Sequence, residues 1–314
     1  MTTGQKDLMR ACRLCPRDCG ADRKAGVRGV CGASARVRIA RAALHFWEEP
    51  CISGESGSGT VFFSYCPLRC VYCQNRDIAI GDAGTEVSVR RLARIYLELA
   101  AQGARNVNLV TPTHYAPAVV ESVALARAAG LELPVVYNTS GYETVEAIGL
   151  LAGTVDVYLT DFKYADAQTA RRYSNAPDYP EVALAALDAM VAQVGHPVFE
   201  EAPDGDEPPR IMHGVVVRHL LLPGHLEESK RVVRLLHERY GDTVLLSLMN
   251  QYTPLRHFER YPELNETVPA GDYESLLDYA DELGIEDYYW QEGGADSESF
   301  IPPFDQTGVE GPEL

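Results

Sequence analysis

Residues Phe62–Asn75 read FFSYCPLRCVYCQN. Three cysteines stand in this stretch at the spacing C-x3-C-x2-C: Cys66, Cys70 and Cys73. The apolar run Thr60–Tyr65 before them is typical of a β-strand, and Pro67 disfavours a helix in the loop that follows. Thiols packed this closely, in a chain without a recognisable secretory signal, indicate a metal site rather than disulfides. A cubic iron–sulfur cluster usually takes four thiolates, so a loop that supplies three leaves one iron free to bind a reacting group.

Zinc is the alternative occupant of this cysteine loop, residues 66–73. A structural zinc site uses four ligands. No cysteine or histidine follows Cys73 closely enough in the sequence to complete such a site. The number of cysteines and the strand before them therefore favour an iron–sulfur cluster.

The cysteine loop resembles the signature of the radical S-adenosylmethionine (SAM) enzymes, in which an aromatic residue, here Tyr72, stands just before the last cysteine. The resemblance implies that Cys66, Cys70 and Cys73 bind a [4Fe-4S] cluster. It also implies that the amino and carboxylate groups of SAM chelate the fourth iron, with Tyr72 beside the adenine. The fold it implies is a partial (β/α)6 barrel of the TIM type.

A second group of four cysteines lies near the start of the chain at the spacing C-x2-C-x3-C-x11-C: Cys12, Cys15, Cys19 and Cys31. Four cysteines fit a closed site that holds either structural zinc or a second [4Fe-4S] cluster, and the sequence leaves both open. Free thiols are the remaining alternative, but few apolar residues surround the cysteines, so we expect this region to need a metal to fold. The eighth cysteine, Cys51, belongs to neither group, and we assign it a structural role.

The length alone suggests one or two domains, and the cysteine groups and the resemblance divide the chain into three regions. The chain has 314 residues, 46% of them hydrophobic, which suffices to bury a sizeable core. We expect a cysteine-rich metal-binding head at residues 1–45, a radical SAM partial barrel at 46–290 and an irregular tail at 291–314. No apolar run reaches the ~20 residues of a membrane span, and the start lacks the apolar core of a signal peptide. We therefore expect a cytoplasmic protein that binds no membrane.

The formal charge of −17 argues against nucleic-acid binding. This charge is unevenly distributed, because residues 1–41 contain ten Lys and Arg against three Asp and Glu. A small basic head on an acidic body is expected to pack against that body. The alternative is that the head faces an acidic partner.

Apolar strand patterns alternate with helical patterns after the cysteine loop. One predicted strand, Val37–Leu44, precedes the cysteine loop. The predicted strands after the loop are Asn106–Val110, Leu133–Tyr137, Val155–Thr160, Gly214–Leu222 and Val244–Leu248. The predicted helices are Val87–Gln102, Ala116–Ala129, Thr144–Leu151, Val182–Val194, Leu226–Tyr240 and Tyr273–Leu283. Repeated βα units predict a parallel sheet covered by helices, and about six of them match the partial barrel that the resemblance implies.

Two segments interrupt this alternation. His45–Cys51 reads HFWEEPC, and we interpret it as a covering loop with Trp47 packed in the core and Cys51 buried. Pro197–Arg210 is acidic and rich in proline, which predicts an exposed loop or a hairpin tip.

Polar residues follow the predicted strands at the point where each strand ends. Because chemistry in parallel α/β barrels sits at the carboxyl ends of the strands, we expect these residues to line one cavity. They are Thr111–Tyr115, Asn138–Gly141, Asp161–Lys163, Arg218 with His219, and Asn250–Thr253.

These strand ends make the chain similar to the glycyl-radical-enzyme activases, and most similar to the homologues of the pyruvate formate-lyase activating enzyme. The stretch DVYLTDFK resembles their D-x4-D-x-K element. The resemblance implies that Lys163 reaches the SAM carboxylate and that Asp161 helps to hold a cation or the SAM amine. VVVRHLLLPG and NTSG resemble two further elements, which imply that Arg218 and Asn138 also belong to the SAM site.

One departure from the activases follows the second strand. Activases carry a G-G-E-P element there, which binds the SAM amino group, whereas this chain reads V-T-P-T-H. A carboxylate is missing, and we expect Thr111 and Thr113 to act as acceptors in its place. Gln251 is expected either to line the adenine pocket or to end its strand.

The resemblance implies an enzyme that reductively cleaves SAM to a 5′-deoxyadenosyl radical and abstracts hydrogen, with an external one-electron donor of the flavodoxin or ferredoxin type. Its leading substrate is the glycine of a glycyl-radical protein. The first alternative is a radical SAM enzyme that acts on a small molecule or another macromolecule, with the head as an auxiliary cluster. The second is a non-catalytic iron–sulfur electron carrier or a zinc-dependent binding protein.

Overall fold

The computed structural model describes residues 8–201, 207–291 and 300–314. Its strands are β1 (Val37–His45), β2 (Ser58–Phe63), β3 (Thr85–Val87), β4 (Val107–Val110), β5 (Val135–Thr139), β6 (Val157–Asp161), β7 (Val198–Glu200), β8 (Arg210–Leu220), β9 (Leu245–Met249) and β10 (Tyr288–Trp290). Its α-helices are α1 (Pro50–Ser53), α2 (Arg76–Ile80), α3 (Val89–Ala101), α4 (Ala116–Ala128), α5 (Val145–Leu150), α6 (Ala167–Ser174), α7 (Tyr179–Val194), α8 (Leu226–Tyr240) and α9 (Ala270–Glu282). None of these helices is long and apolar enough to cross a membrane.

The strands form a mostly parallel sheet in the order β10-β9-β8-β6-β5-β4-β2-β1-β3. The strands from β2 to β10 along this path are parallel, and β1 and β3 extend the β2 edge in antiparallel pairing. A helix connects each parallel strand to the next, which gives six βα units in sequence order. The expected α/β class with a parallel sheet is confirmed, and the element order is that of a partial (β/α)6 barrel.

The two faces of this sheet differ in character because side chains along a strand alternate with a period of two. One face is apolar and packs under the helices, as shown by the fully buried Val61, Leu109 and Tyr158. The other face carries polar residues near the strand ends, including Asn138 on β5 and the paired Asp161 on β6 and Arg218 on β8. We call this second face the inner face, and it holds the candidate site.

Most predicted elements are confirmed to within a few residues, but three expectations change. Trp47 does not pack in the core, because it is 56% exposed and contacts Phe300 edge to face at 5.1 Å. The covering segment also contains a short helix, α1, that buries Cys51 and Ile52 against the inner face. Helix α6 has no counterpart among the predicted elements. The Pro197–Arg210 insertion forms the antiparallel pair β7–β8, as a hairpin requires, and residues 202–206 lie outside the described part of the chain.

The tail returns to the start of the sheet. The Gln306 amide donates to the Ala40 carbonyl, and the Ala42 amide donates to the Thr307 carbonyl, so the tail pairs with β1 beyond the short strand β3. Arg91 on α3 anchors the segment that follows. Its buried guanidinium pairs with Glu98 and donates to four tail carbonyls at 2.9–3.1 Å, those of Gly308, Val309, Glu310 and Pro312.

We expect Arg91→Met to release the tail and to lower the free energy of unfolding by about 3 kcal/mol, because the change leaves the buried Val309 carbonyl, three partly buried tail carbonyls and Glu98 without their partner. Urea unfolding followed by circular dichroism measures the effect. The control is Arg94→Met on the same helix, whose side chain is 45% exposed and which should cost less than about 0.5 kcal/mol. Equal midpoints for the two variants would show that the tail is not anchored in this way.

Candidate functional site

The cysteine loop follows β2 at the carboxyl edge of the parallel sheet. Its backbone turns sharply, because Tyr65 and Arg69 both adopt the left-handed conformation, with φ of 76° and 54°. The Val71 amide donates to the Tyr173 carbonyl at 2.8 Å, which ties the loop to α6. None of the three cysteines of the loop forms a disulfide, and all three are partly exposed. They therefore meet the first requirement for ligands, which is access to a common space.

That space is a cavity at the carboxyl ends of the strands. The three cysteines line one wall. The other lining residues include most of those predicted for the SAM site, namely Tyr72, Thr111, Asn138, Asp161, Lys163, Arg218 and Gln251. The strand-end residues that the sequence singled out are thus brought together around one cavity, as expected of a parallel α/β fold. The roles assigned to them stay predictions.

Lys163 and Asp161 form the charged centre of this cavity. The Lys163 Nζ atom lies 2.7 Å from Asp161 Oδ2, and the Arg218 Nε atom lies 3.0 Å from Asp161 Oδ1. Burial disfavours the Asp161 carboxylate, but the two cations outweigh burial and hold its pKa below the usual value. Burial likewise opposes the Lys163 charge, and Asp161 outweighs it, so the pKa of Lys163 is raised. Both groups are therefore charged at neutral pH.

Arg218 connects this centre to a carboxylate that sequence analysis missed. Its Nη1 atom lies 3.0 Å from Glu48 Oε2, and its Nη2 atom donates to Asn138 Oδ1 at 2.6 Å. Glu48 also accepts hydrogen bonds from the side chains of Asn108 and Asn138 at 3.1 and 3.2 Å. The segment HFWEEPC holds two adjacent carboxylates, and this pair could have indicated a site residue. The segment was interpreted as a covering loop, which gave Glu48 no role.

The two threonines of the V-T-P-T-H stretch occupy different environments. Thr111 lines the cavity and has a φ of 59°. Thr113 is buried away from the cavity, and its hydroxyl donates to Glu143 Oε1 at 2.6 Å. Thr139 donates to the same oxygen at 2.5 Å. Burial raises the pKa of Glu143 to about 7, although the two hydroxyl donors oppose that rise. The Thr113 hydroxyl thus bonds to Glu143 and does not face the cavity in which it was expected to accept from SAM.

Two histidines near the strand ends are structural in this fold. His114 Nε2 lies 2.8 Å from the Ser64 carbonyl oxygen, and burial lowers the pKa of His114 to about 3. His219 contacts the Phe162 carbonyl at 2.7 Å and the Ser229 hydroxyl at 2.8 Å, and burial also lowers its pKa. Neither side chain lines the cavity.

The head packs against the same end of the sheet. Residues 8–36 run as turns and irregular backbone, in which Cys12, Cys15 and Cys31 are buried and Cys19 is partly exposed. A Cβ atom at Gly29 would lie 3.1 Å from the Cys19 sulfur and 3.6 Å from the Cys31 sulfur, so the backbone passes close to both thiols. Glycine gives this approach the room it needs.

The donor chemistry of the cysteine loop fits a [4Fe-4S] cluster. Burial and the neighbouring thiols raise the pKa of Cys66 to about 11 and of Cys73 to about 12, so a cation is needed to hold the thiolates together. Within the described residues, no group of three or more His, Cys, Asp or Glu side chains is arranged to hold a metal ion. A cubic cluster binds each cysteine through a different iron, so its ligands need not converge on one point. The occupant of the head stays a prediction.

Comparisons with known proteins agree with this fold. The Radical SAM superfamily matches residues 60–199. A radical SAM methyltransferase from Sphaerobacter thermophilus is structurally similar, with a TM-score of 0.52 and 15% identity over 76% of this chain and 68% of that chain. The uncharacterized protein MJ0674 of Methanocaldococcus jannaschii is 26% identical over 90% of this chain and 78% of its own length.

Residues 60–199 therefore form a radical SAM superfamily domain. The domain begins in β2 and includes the cysteine loop, Asn138, Asp161 and Lys163. The match to this superfamily implies a [4Fe-4S] cluster and SAM as cofactors, in agreement with that part of the sequence prediction.

Glu143 predicts a pH dependence of stability. Its folded pKa of about 7 lies above the unfolded value of 4.5, so the folded state holds the extra proton and loses stability as the pH rises from about 4.5 through 7. Glu143→Gln keeps an acceptor for both threonines and removes the titration. We expect the variant to gain up to about 3 kcal/mol relative to the wild type between pH 5 and pH 8.

Urea midpoints measured across this pH range test the expectation. Glu146→Gln, at an exposed position on α5, is the matched control and should follow the wild-type curve. Parallel curves for Glu143→Gln and the wild type would mean that Glu143 is ionised at the same pH in both the folded and unfolded states.

Proposed function

We propose that this protein is a radical SAM enzyme that uses a [4Fe-4S] cluster on Cys66, Cys70 and Cys73 to cleave SAM reductively. With both groups bound, one electron from an external donor would break a carbon–sulfur bond of SAM and yield methionine and a 5′-deoxyadenosyl radical that abstracts hydrogen from the substrate. The observation that carries the proposal is the meeting of three unpaired cysteines and the Lys163–Asp161–Arg218 network at one cavity.

The charged residues of the cavity would orient SAM. Lys163 keeps two of its ammonium protons for other acceptors while it pairs with Asp161, so it is suited to the SAM carboxylate. Asp161 would offset the positive charge of the amine and the sulfonium. Glu48 does not line this cavity, but through its pairing with Arg218 it supplies a nearby carboxylate that the V-T-P-T-H stretch lacks. Tyr72 would lie beside the adenine, and Ile301 of the tail closes part of the cavity against water.

The test of this activity is the formation of 5′-deoxyadenosine by protein reconstituted anaerobically with iron and sulfide and supplied with SAM and dithionite. We expect the nucleoside from the wild type and none from Cys70→Ala. Cys51→Ala is the matched control, because Cys51 is buried near α1 and away from the cavity. Loss of activity in both Cys70→Ala and Cys51→Ala would contradict the proposal. So would a wild-type protein that forms no nucleoside although its cluster is assembled.

Lys163→Met separates a SAM enzyme from an electron carrier. The change removes one charge-assisted hydrogen bond to SAM, which is worth about 1.5–3 kcal/mol, so we expect SAM affinity to fall by about ten- to a hundredfold. Equilibrium dialysis with labelled SAM measures the affinity, and Lys230→Met on α8 is the control. An electron carrier would retain its cluster and show no difference between the two variants.

For the hydrogen donor we propose the glycine of a glycyl-radical protein, on the resemblance of the DVYLTDFK and VVVRHLLLPG stretches to activases. The external donor would be a flavodoxin or a ferredoxin. A glycyl radical seen by electron paramagnetic resonance (EPR) in a partner protein, formed only when this protein and SAM are present, would support this substrate. Fast hydrogen abstraction from a small molecule without any partner would contradict it.

A small polar substrate is the second candidate, and a separate cavity favours it. A smaller space adjoins the SAM cavity and shares Asn138 and Arg218 with it. Its other walls include His45, Trp47 and Glu48. Such a lining offers aromatic surface and a few polar groups, as small-molecule sites do. Turnover without a protein partner distinguishes this candidate from the activase.

A further inference from the structure

Arg17 of the head holds the backbone of the cysteine loop and the end of α6 together. It stands between Cys15 and Cys19 in the sequence. Its guanidinium donates to the carbonyls of two loop residues, Pro67 at 3.0 Å and Leu68 at 3.4 Å. It also donates to the carbonyls of Ser174 at 2.8 Å and Asn175 at 2.5 Å. The last carbonyls of a helix lack partners within the helix, so an arginine is well suited to this position.

The residue that Arg17 fixes at the end of α6 reaches a predicted cluster ligand. Ser174 is buried, and its hydroxyl donates to the Cys70 sulfur at 3.1 Å. The Ser174 oxygen lies 2.8 Å from the Tyr164 hydroxyl, and the Tyr164 and Tyr72 hydroxyls are also 2.8 Å apart. A chain of buried hydroxyls therefore ends at one sulfur of the cysteine loop.

A second arginine makes the contact between head and loop reciprocal. Arg69 stands between Cys66 and Cys70, and its Nη2 atom donates to the Cys31 carbonyl of the head at 2.6 Å. The head thus holds the cysteine loop through Arg17, and the loop holds the head through Arg69. The two predicted metal sites are joined by direct hydrogen bonds.

We propose that Arg17 and Ser174 are positioning residues that raise the reduction potential of the cluster on Cys66, Cys70 and Cys73. The inference rests on the proposed function. Reduction adds negative charge to a cluster and its thiolates, and a hydrogen bond to a ligand sulfur stabilises that charge. Arg17 holds the end of α6 in place, and the Ser174 hydroxyl then donates to Cys70. The head therefore influences how readily the cluster accepts an electron.

The experiment is a redox titration of the reconstituted protein followed by EPR, using the signal that changes when SAM is added. We expect Ser174→Ala to lower the ratio of reduced to oxidised cluster about fivefold at the wild-type midpoint, as the loss of one modest hydrogen bond predicts. Ser174→Thr keeps the hydroxyl and should retain the wild-type ratio. Arg17→Ala should shift the ratio in the same direction as Ser174→Ala, and Arg28→Ala, at an exposed position of the head, should not.

An unchanged ratio in Ser174→Ala, or a shift in Ser174→Ala that Ser174→Thr fails to restore, would overturn the proposal. A wild-type ratio of reduced to oxidised cluster in Arg17→Ala would show that the head does not influence the potential. The titration does not require turnover, so it separates this inference from the activity itself. A shifted potential without 5′-deoxyadenosine would contradict the proposed enzyme, whereas nucleoside formation with an unchanged potential would contradict only the role of Arg17 and Ser174.

Discussion

Two cations on the inner face of the sheet are largely withdrawn from solvent, with side-chain exposures of 16% and 14%, and their charges must be compensated within the protein. Removing an ammonium and a guanidinium from water costs several kcal/mol each unless carboxylates and hydrogen bonds replace the lost hydration. Asp161 lies between Lys163 and Arg218 and pairs with both. Arg218 gains further compensation from the Glu48 carboxylate and a hydrogen bond to Asn138. The site therefore consists of opposite charges held in fixed positions.

This constraint explains features of the fold that lie far from the cysteines in sequence. Glu48 reaches Arg218 only because the segment after β1 enters the inner face, and α1 then fills the space beyond it with Cys51 and Ile52. The tail returns to β1, and Ile301 reaches the cavity. The segment after β1 and the tail thus help to enclose a polar interior that six βα units alone would leave open.

Local patterns allowed much of this arrangement to be predicted. The position of Asp161–Lys163 directly after a predicted strand placed both residues at the cavity, and the cysteine spacing identified the loop from adjacent residues. The remaining contacts join distant parts of the chain. Glu48 and Arg218 are 170 positions apart, and Arg17 and Ser174 are 157 apart, so no periodicity links them. The exposure of Trp47 was missed for the same reason, since its ring packs on Phe300 of the tail.

In the proposed site, three thiolates leave one iron open to SAM beside Lys163 and Arg218. The most direct test is electron–nuclear double resonance of the reduced, reconstituted protein with SAM labelled with ¹⁷O in its carboxylate and ¹⁵N in its amino group. If SAM binds the open iron, we expect hyperfine coupling of both labels to the cluster. A cluster signal that SAM leaves unchanged, with no coupling to either label, would contradict it.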